Sequence, residues 1–342
     1  MTESIPTKTA WKAEDNNMEE IHWGIIGCGD VCERKSGPAF YKIKNSSLTA
    51  VMRRDLEKAK DYALRHAVPH YYDNAEQLIN DPNVNAIYVA TPPDTHKEYA
   101  IKTMRAGKPV YVEKPMALNY NECAEMVNVS QETGQKLFVA HYRRSLPYFE
   151  KIKELIDNDT IGKILTVNTQ YFRAPSASDI NADEHTWRVN KAIAGGGYFY
   201  DLAPHILDIL DFLLGEIDDA IGITKNLGGF YDVEDTVSAL LKFKSGAQGT
   251  AQWCFVASTE RDSIEIIGTK GMITFNTFAF QPIILKTIDG KIEQYEPEQP
   301  QHIQQPLIQT IVNELRGIGE CPSTGITALR TARVMDKIFE RK

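Results

Sequence analysis

Apolar residues follow two textures along this chain. Up to about residue 140 they come in short runs separated by longer mixed segments. Trp23–Ile26, Leu48–Met52, Ala86–Ala90, Pro109–Val112 and Lys136–Ala140 read as strands. Short apolar runs bounded by turn residues fit strands buried on both faces. Between them, Asp55–Ala67, Thr95–Ala106 and Asn119–Thr133 read as helices, the last two closed by Gly107 and Gly134. Strands alternating with helices predict a parallel sheet covered on both sides. Ligands of such sheets bind outside the carboxyl ends of the strands. That edge collects Gly27–Asp30, Arg53–Asp55, Thr91–Pro93, Glu113–Pro115 and His141–Arg144.

From about residue 160 the texture becomes β-rich. Ile164–Phe172, Ala220–Lys225, Thr236–Lys244, Gly249–Val256, Ser263–Gly268, Met272–Phe278 and Ile283–Thr287 are the expected strands. Turns such as Lys244-Ser245-Gly246, Thr269-Lys270-Gly271 and Asp289-Gly290 join several of them, which implies antiparallel pairing. One helix, Tyr200–Leu214, interrupts the strands, and helical segments near Gln304–Arg316 and Ile326–Phe339 end the chain. The expected architecture is an α/β Rossmann domain followed by an α+β domain with a large open, mainly antiparallel sheet. The boundaries read as a loose arm over residues 1–20, a dinucleotide-binding domain over 21–142 and a substrate and oligomerisation domain over 143–342. The C-terminal helix is free to pack back on the first domain. Apolar and aromatic residues along the second sheet, among them Trp253, Phe255, Phe275 and Phe278, suggest a face that another subunit covers.

Composition narrows the function classes. A chain of 342 residues suits two domains. A net charge of −8 argues against a nucleic-acid surface. No apolar stretch is long enough to span a bilayer, and residues 1–20 hold no apolar secretion-signal core, so a cytoplasmic location is expected. The five cysteines are odd in number and scattered, which suggests reduced thiols. Cys28 and Cys32 are the only close pair. No nearby His or second Cys pair completes a zinc site, so they read as small packing residues and no metal is expected.

Three stretches could carry chemistry. Gly27-Cys28-Gly29, after the first strand, is half of a dinucleotide fingerprint. Gly27 permits the tight turn, and Gly29 lets the backbone approach a pyrophosphate. In Glu113-Lys114-Pro115 the proline holds Lys114 extended at a strand end, where an isolated Lys-Pro would read as a surface loop. A lysine in a partly closed cleft shares a proton more readily than in water. Asp201 and His205 stand four apart on one helical face, a pairing that suits acid–base work near neutral pH, or a solvated pair on a surface helix.

Taken together, Gly27-Cys28-Gly29, Ala90-Thr91-Pro92-Pro93, Glu113-Lys114-Pro115 and Gly195-Gly196-Gly197 followed by Asp201-x-x-x-His205 resemble the glucose-fructose oxidoreductase and inositol dehydrogenase (Gfo/Idh/MocA) family over about residues 20–340. The resemblance implies NAD or NADP and hydride transfer at a secondary alcohol or carbonyl of a sugar, cyclitol or diol. It implies Lys114, Asp201 and His205 as catalytic residues. Gly27, Cys28, Gly29, Asp30, Val31, Arg53, Arg54, Asp55, Thr91, Pro92, Pro93, His96, Glu113, Lys114, Pro115, Arg143, Trp187 and Arg188 are then expected at the cofactor. Tyr142, Trp187, Asp201 and His205 are expected at the substrate. It also implies a homo-oligomer, dimer or tetramer, assembled through the C-terminal sheet, and frequently a cis bond before the proline matching Pro115.

Two positions depart from that pattern. Cys32 stands at the third fingerprint glycine. Arg53-Arg54 stands where NAD-preferring relatives tend to carry an acid, which favours NADP, although Asp55 follows at once and could reach a ribose hydroxyl. The alternatives are an NAD-dependent glycosidase on the same fold and a non-catalytic sugar or nucleotide sensor.

Overall fold

The computed structural model describes residues 18–340, so most of the expected N-terminal arm lies outside the described residues. The chain forms two compact units. One comprises the residues up to Ser145 together with Pro300–Leu329, and the other Leu146–Gln299 together with the residues from Arg330 on.

The first unit is built from β1 (Ile21–Ile26), α1 (Asp30–Arg34), α2 (Gly37–Lys42), β2 (Ser46–Met52), α3 (Leu56–Arg65), β3 (His70–Tyr72), α4 (Ala75–Ile79), β4 (Ala86–Val89), α5 (His96–Arg105), β5 (Val110–Val112), α6 (Tyr120–Thr133) and β6 (Leu137–Val139). The strands pair in parallel in the order β3-β2-β1-β4-β5-β6, the doubly wound arrangement of dinucleotide-binding domains. Sequence reading missed β3 and α4. The three residues of β3 lie at the sheet edge and none is buried, so no apolar run marks them. Helix boundaries follow their caps. The Asn119 side chain accepts the Glu122 N–H at 3.0 Å to start α6, and Gly134 ends it at φ +69°. Trp23, Phe40, Tyr88 and Tyr111 form a continuous ring stack through the core, with neighbouring centroids 4.8–5.2 Å apart along Trp23–Phe40–Tyr88–Tyr111.

The second unit begins with α7 (Pro147–Asp157), which sequence reading also missed. It buries Tyr148, Phe149, Ile152 and Leu155, a helical spacing, behind a proline at its first turn. Then come β7 (Ile164–Phe172), α8 (Ala177–Ile180), α9 (Lys191–Ala194), α10 (Tyr198–Leu214), β8 (Ile217–Lys225), β9 (Thr236–Phe243), β10 (Gln248–Cys254), β11 (Arg261–Gly268), β12 (Gly271–Phe275), β13 (Ile283–Thr287) and β14 (Ile292–Tyr295). The eight strands form one sheet in the order β14-β13-β12-β11-β7-β10-β9-β8. Only the β7–β10 pair is parallel. The last two helices are α11 (Gln305–Leu315), in the first unit, and α12 (Gly325–Ile338), which the boundary at Leu329 divides.

Trp253 and Phe275 of this sheet face inward. Along β10, Ala251 and Trp253 are buried while Gln248, Thr250 and Gln252 are exposed. Trp253 meets Phe199 of α10 edge-on at 5.0 Å, and Phe275 meets Phe149 of α7 at 6.3 Å. Trp253, Phe255 and Phe275 are thus core residues, contrary to the expectation that they line an association surface. The alternation shows two faces; only α7 and α10 decide which one is covered. The other face presents Leu165, Ile221, Ile223 and Leu240, each about half exposed or more.

Candidate active site

The fingerprint turn follows β1. Gly27 sits at φ +91°, and a Cβ there would lie 2.8 Å from the Thr91 methyl and 3.0 Å from the Ala90 carbonyl carbon. Only glycine lets the turn pass so close to the loop after β4. At Gly29 a Cβ would meet nothing nearer than 4.0 Å, so the space beside this backbone is open. Gly29 is the N-cap of α1 and supplies no side-chain acceptor. Asp30 is exposed and Val31 half-buried. The cradle therefore fits a dinucleotide, which approaches the backbone at such a turn. Cys28 and Cys32 are buried free thiols. Burial pushes the Cys28 thiol up to about 11, against the lowering effect of the Arg53 cation, and pushes Cys32 up as well. Both are protonated near neutral pH and act as small core residues. Among the described residues no group of three or more His, Cys, Asp or Glu could hold a metal ion.

At the end of β2, Arg53 is half-buried and Arg54 exposed. Among the described residues neither guanidinium has an ion-pair or hydrogen-bond partner. Asp55 is occupied: its carboxylate accepts the Lys58 N–H at 3.2 Å as the N-cap of α3 and pairs with the Lys58 ammonium at 3.1 Å.

The loop after β4 is tied to the loop after β5 through His96. Its Nδ1 lies 2.9 Å from the Pro115 carbonyl and its Nε2 2.7 Å from the Thr91 carbonyl. A neutral imidazole has one N–H, so the two carbonyls favour the charged ring, while burial opposes it. Burial is the larger effect and holds His96 below the ordinary histidine value. Pro92 is exposed and Pro93 buried in the same loop.

Glu113 ends β5 inside a closed hydrogen-bond network. Its Oε1 accepts the Tyr88 hydroxyl at 2.5 Å and the Gln304 amide at 2.6 Å. Its Oε2 accepts the backbone N–H of Lys114 at 3.1 Å. The Tyr111 hydroxyl donates to Gln304 Oε1 at 2.7 Å. The Lys114–Pro115 bond is cis. Glu113 thereby fixes the strand end from which Lys114 projects. Gln304 lies 191 residues away in sequence and carried no signal that could have found it. Gln304→Leu is expected to lower stability by ~1–3 kcal/mol, because it leaves the Tyr111 hydroxyl without a partner and takes one donor from a buried carboxylate. Urea unfolding of the two proteins measures it; a loss under ~0.5 kcal/mol would show the network to be dispensable.

After β6 the chain makes a single tight turn over Tyr142–Ser145. Tyr142 and Arg143 are buried, with the Arg143 guanidinium 5.0 Å from the Tyr142 ring centroid. Arg144 is buried and donates to the Pro322 carbonyl at 3.2 Å.

In the second unit the three glycines before α10 do separate jobs. Gly195 ends α9 in the left-handed region at φ +79°. A Cβ on Gly196 would lie 2.2 Å from the Tyr200 ring, and one on Gly197 2.7 Å from Val233. Their close approach is to protein. Helix α10 is buried on nearly every side, so Asp201 and His205 do not ride a solvated surface helix. Asp201 is half-buried and its Oδ2 accepts the Arg188 Nε–H at 2.9 Å. The Arg188 guanidinium also lies over the half-exposed Trp187 ring, 4.7 Å from its centroid. His205 is buried, with the Phe278 ring perpendicular to it at 5.6 Å. Tyr198 donates its hydroxyl to the buried Asp179 carboxylate, which also accepts from Arg173 at 3.0 Å. Within each unit the expected residues gather: Gly27–Val31, Thr91, His96 and Glu113–Pro115 at one sheet edge, and Trp187, Arg188, Asp201 and His205 around the start of α10.

A model of the oxidoreductase family with an NAD-binding Rossmann fold matches residues 21–141, and the Gfo/Idh/MocA C-terminal domain matches residues 149–274. Oxidoreductase P35 of Formosa agariphila is 41% identical over 317 residues, 92% of this chain and 97% of that protein. The chain belongs to the Gfo/Idh/MocA oxidoreductase family. The trans-1,2-dihydrobenzene-1,2-diol dehydrogenase of Sus scrofa, a relative in sequence, is 30% identical over 257 residues, 74% of this chain and 73% of its own. Among solved structures, the aldose-aldose oxidoreductase of Caulobacter crescentus complexed with glycerol is similar, with a TM-score of 0.81 and 25% identity over 94% of this chain and 97% of that one. Among the described residues no helix is long and apolar enough to cross a membrane.

Proposed function

We propose that this protein transfers hydride between a nicotinamide cofactor and a secondary alcohol or carbonyl of a sugar, cyclitol or diol. The observation that carries the proposal is the strand end at Glu113-Lys114: a buried glutamate with three donors holds the backbone of a lysine beside a glycine turn that fits a dinucleotide. The diol- and aldose-acting relatives support the substrate class. The cofactor, when bound, supplies or accepts the hydride. Gly27–Val31 would hold its pyrophosphate, with Thr91–Pro93, His96, Glu113–Pro115, Arg143, Trp187 and Arg188 around its remainder. Arg53 and Arg54 would hold a 2′-phosphate, so NADP is the favoured form. Lys114 binds the reacting oxygen and stabilises charge developing on it. His205 exchanges the proton of that oxygen, and Asp201 and Tyr142 bind neighbouring hydroxyls. The test is a screen of polyols and sugars, with both oxidised and both reduced cofactors, for a change in reduced-nicotinamide absorbance. Turnover of at least one compound is expected; none with either cofactor would defeat the reading.

The same proposal includes self-association through the exposed face of the second sheet. Ile221, Leu240, Thr250 and Asn168 line up across β8, β9, β10 and β7. The face is apolar toward β8 and polar toward β7, where Thr250 bonds Asn168 at 2.8 Å. An exposed face of this kind is an association surface. Light scattering at micromolar concentration is expected to give a multiple of the chain mass, and Leu240→Lys to shift it toward the single chain. A parent that scatters as one chain would refute the assembly.

A further inference from the structure

The connection between β12 and β13 is held more tightly than a hairpin needs. The Asp262 carboxylate, on β11, accepts three successive backbone N–H groups: Thr277 at 2.9 Å, Phe278 at 2.6 Å and Ala279 at 3.2 Å. The Asn276 amide donates to the Asp262 carbonyl. The Tyr148 hydroxyl accepts the Asn276 N–H at 3.2 Å and donates to the Gln281 carbonyl at 2.7 Å. Phe280 stands at φ +47°, a left-handed conformation that costs any residue with a Cβ, and packs edge-on against Tyr148 at 5.5 Å. Strain that the surroundings over-determine marks a segment whose shape is used.

The loop displays Phe278. Its ring lies 4.8 Å from that of Tyr171 and stands perpendicular to His205 at 5.6 Å. Core packing alone would bury it, as it buries Phe255 and Phe275 nearby, yet Phe278 stays partly open. We propose that Phe278 is a specificity-determining wall of the substrate site, placed beside His205 to take the C–H face of a ring-shaped polyol. Asp262 is the positioning residue that sets it there. The inference rests on the reading in which His205 works at the substrate oxygen. Pyranose and cyclitol rings present a continuous patch of C–H groups that an aromatic ring covers, removing apolar surface from water. An open-chain polyol has no fixed patch of that kind, so the wall discriminates by ring rather than by hydroxyl count.

The test is binding to the full chain with saturating NADPH or NADH, under which alcohols cannot react. Levoglucosan, 1,5-anhydro-D-glucitol and myo-inositol are the cyclic probes, and glycerol and D-sorbitol the open-chain ones, measured by titration calorimetry and ligand-observed NMR. At least one cyclic probe is expected to bind the parent and to bind Phe278→Ala about tenfold more weakly, the size of one lost aromatic contact. Phe278→Tyr should keep the affinity, Asp262→Asn should weaken it in the same direction, and open-chain binding should change less in every variant. Phe278→Leu keeps the apolar bulk and loses the same ring, so it supplies the measurement if the alanine variant does not fold. The inference is overturned if no cyclic probe binds the parent, or if the alanine or leucine variant binds as well as the parent. Cyclic binding without turnover on oxidised cofactor would defeat the dehydrogenase reading and leave the aromatic wall standing.

Discussion

Lys114→Ala and His205→Ala are each expected to lower the rate of hydride transfer ~100- to 10,000-fold, with a much smaller change in cofactor binding. The reason lies in how each side chain is carried. Lys114 leaves a strand end whose backbone N–H is tied to a buried carboxylate, so removing its ammonium leaves the fingerprint turn and the loops around it in place. His205 sits in the second turn of a helix buried on nearly all sides, so its imidazole is presented from a rigid base. Losing either group removes a donor or acceptor needed as charge develops on the reacting oxygen, which affects the transition state more than the ground state. Single-turnover reactions with the substrate found by screening, alongside fluorescence titration of cofactor, separate the two effects. Parent-like turnover in both variants would move the chemistry elsewhere. Tyr142 and Tyr198, the latter donating to Asp179, would then be the next candidates.

NADPH is expected to bind more tightly than NADH, by ~10- to 150-fold if one charge-assisted contact of ~1.5–3 kcal/mol is made to the 2′-phosphate. Arg53 and Arg54 stand at the end of β2, and among the described residues no acid neutralises either. Asp55, the rival for a ribose hydroxyl, is engaged as the cap of α3 and in an ion pair with Lys58. Pulling it away would cost the cap. Arg53→Ala and Arg54→Ala should each weaken NADPH and leave NADH almost unchanged. The salt dependence should follow the same division, because exposed charge pairs are screened. Equal or tighter NADH binding by the parent would refute the preference and return Asp55 to the ribose.

Much of the fold is legible in the residues because buried parallel strands are short apolar runs and their helices end in recognisable caps. Asn119, Gly107 and Gly134 mark boundaries to within a residue or two. What escaped reading lacks that signature. The edge strands β3 and β14 are short and largely uncovered, so neither an apolar run nor a firm alternation marks them. The aromatic residues of the second sheet could be assigned to one face by their alternation, but not to the covered face, because that depends on where α7 and α10 lie. At the candidate site the motifs stand out in the sequence, while their supports do not. Gln304 and Asp262 act across 191 and at least 15 residues of sequence through side-chain hydrogen bonds, and no local pattern distinguishes them from ordinary polar residues. Asp55 shows the converse: a residue plausible at the cofactor by position is engaged by its own helix.

The most direct test of the account is the fate of the hydrogen on the reacting carbon. A polyol identified by the screen, deuterated at its secondary carbinol carbon, is incubated with the protein and oxidised cofactor, and the reduced nicotinamide is analysed by mass spectrometry and NMR. The account predicts one deuterium on the reduced nicotinamide ring, a single stereochemistry of transfer, and a carbonyl at the labelled carbon of the product. Reduced cofactor without deuterium, or a product in which a glycosidic bond is broken with no net cofactor reduction, would contradict it.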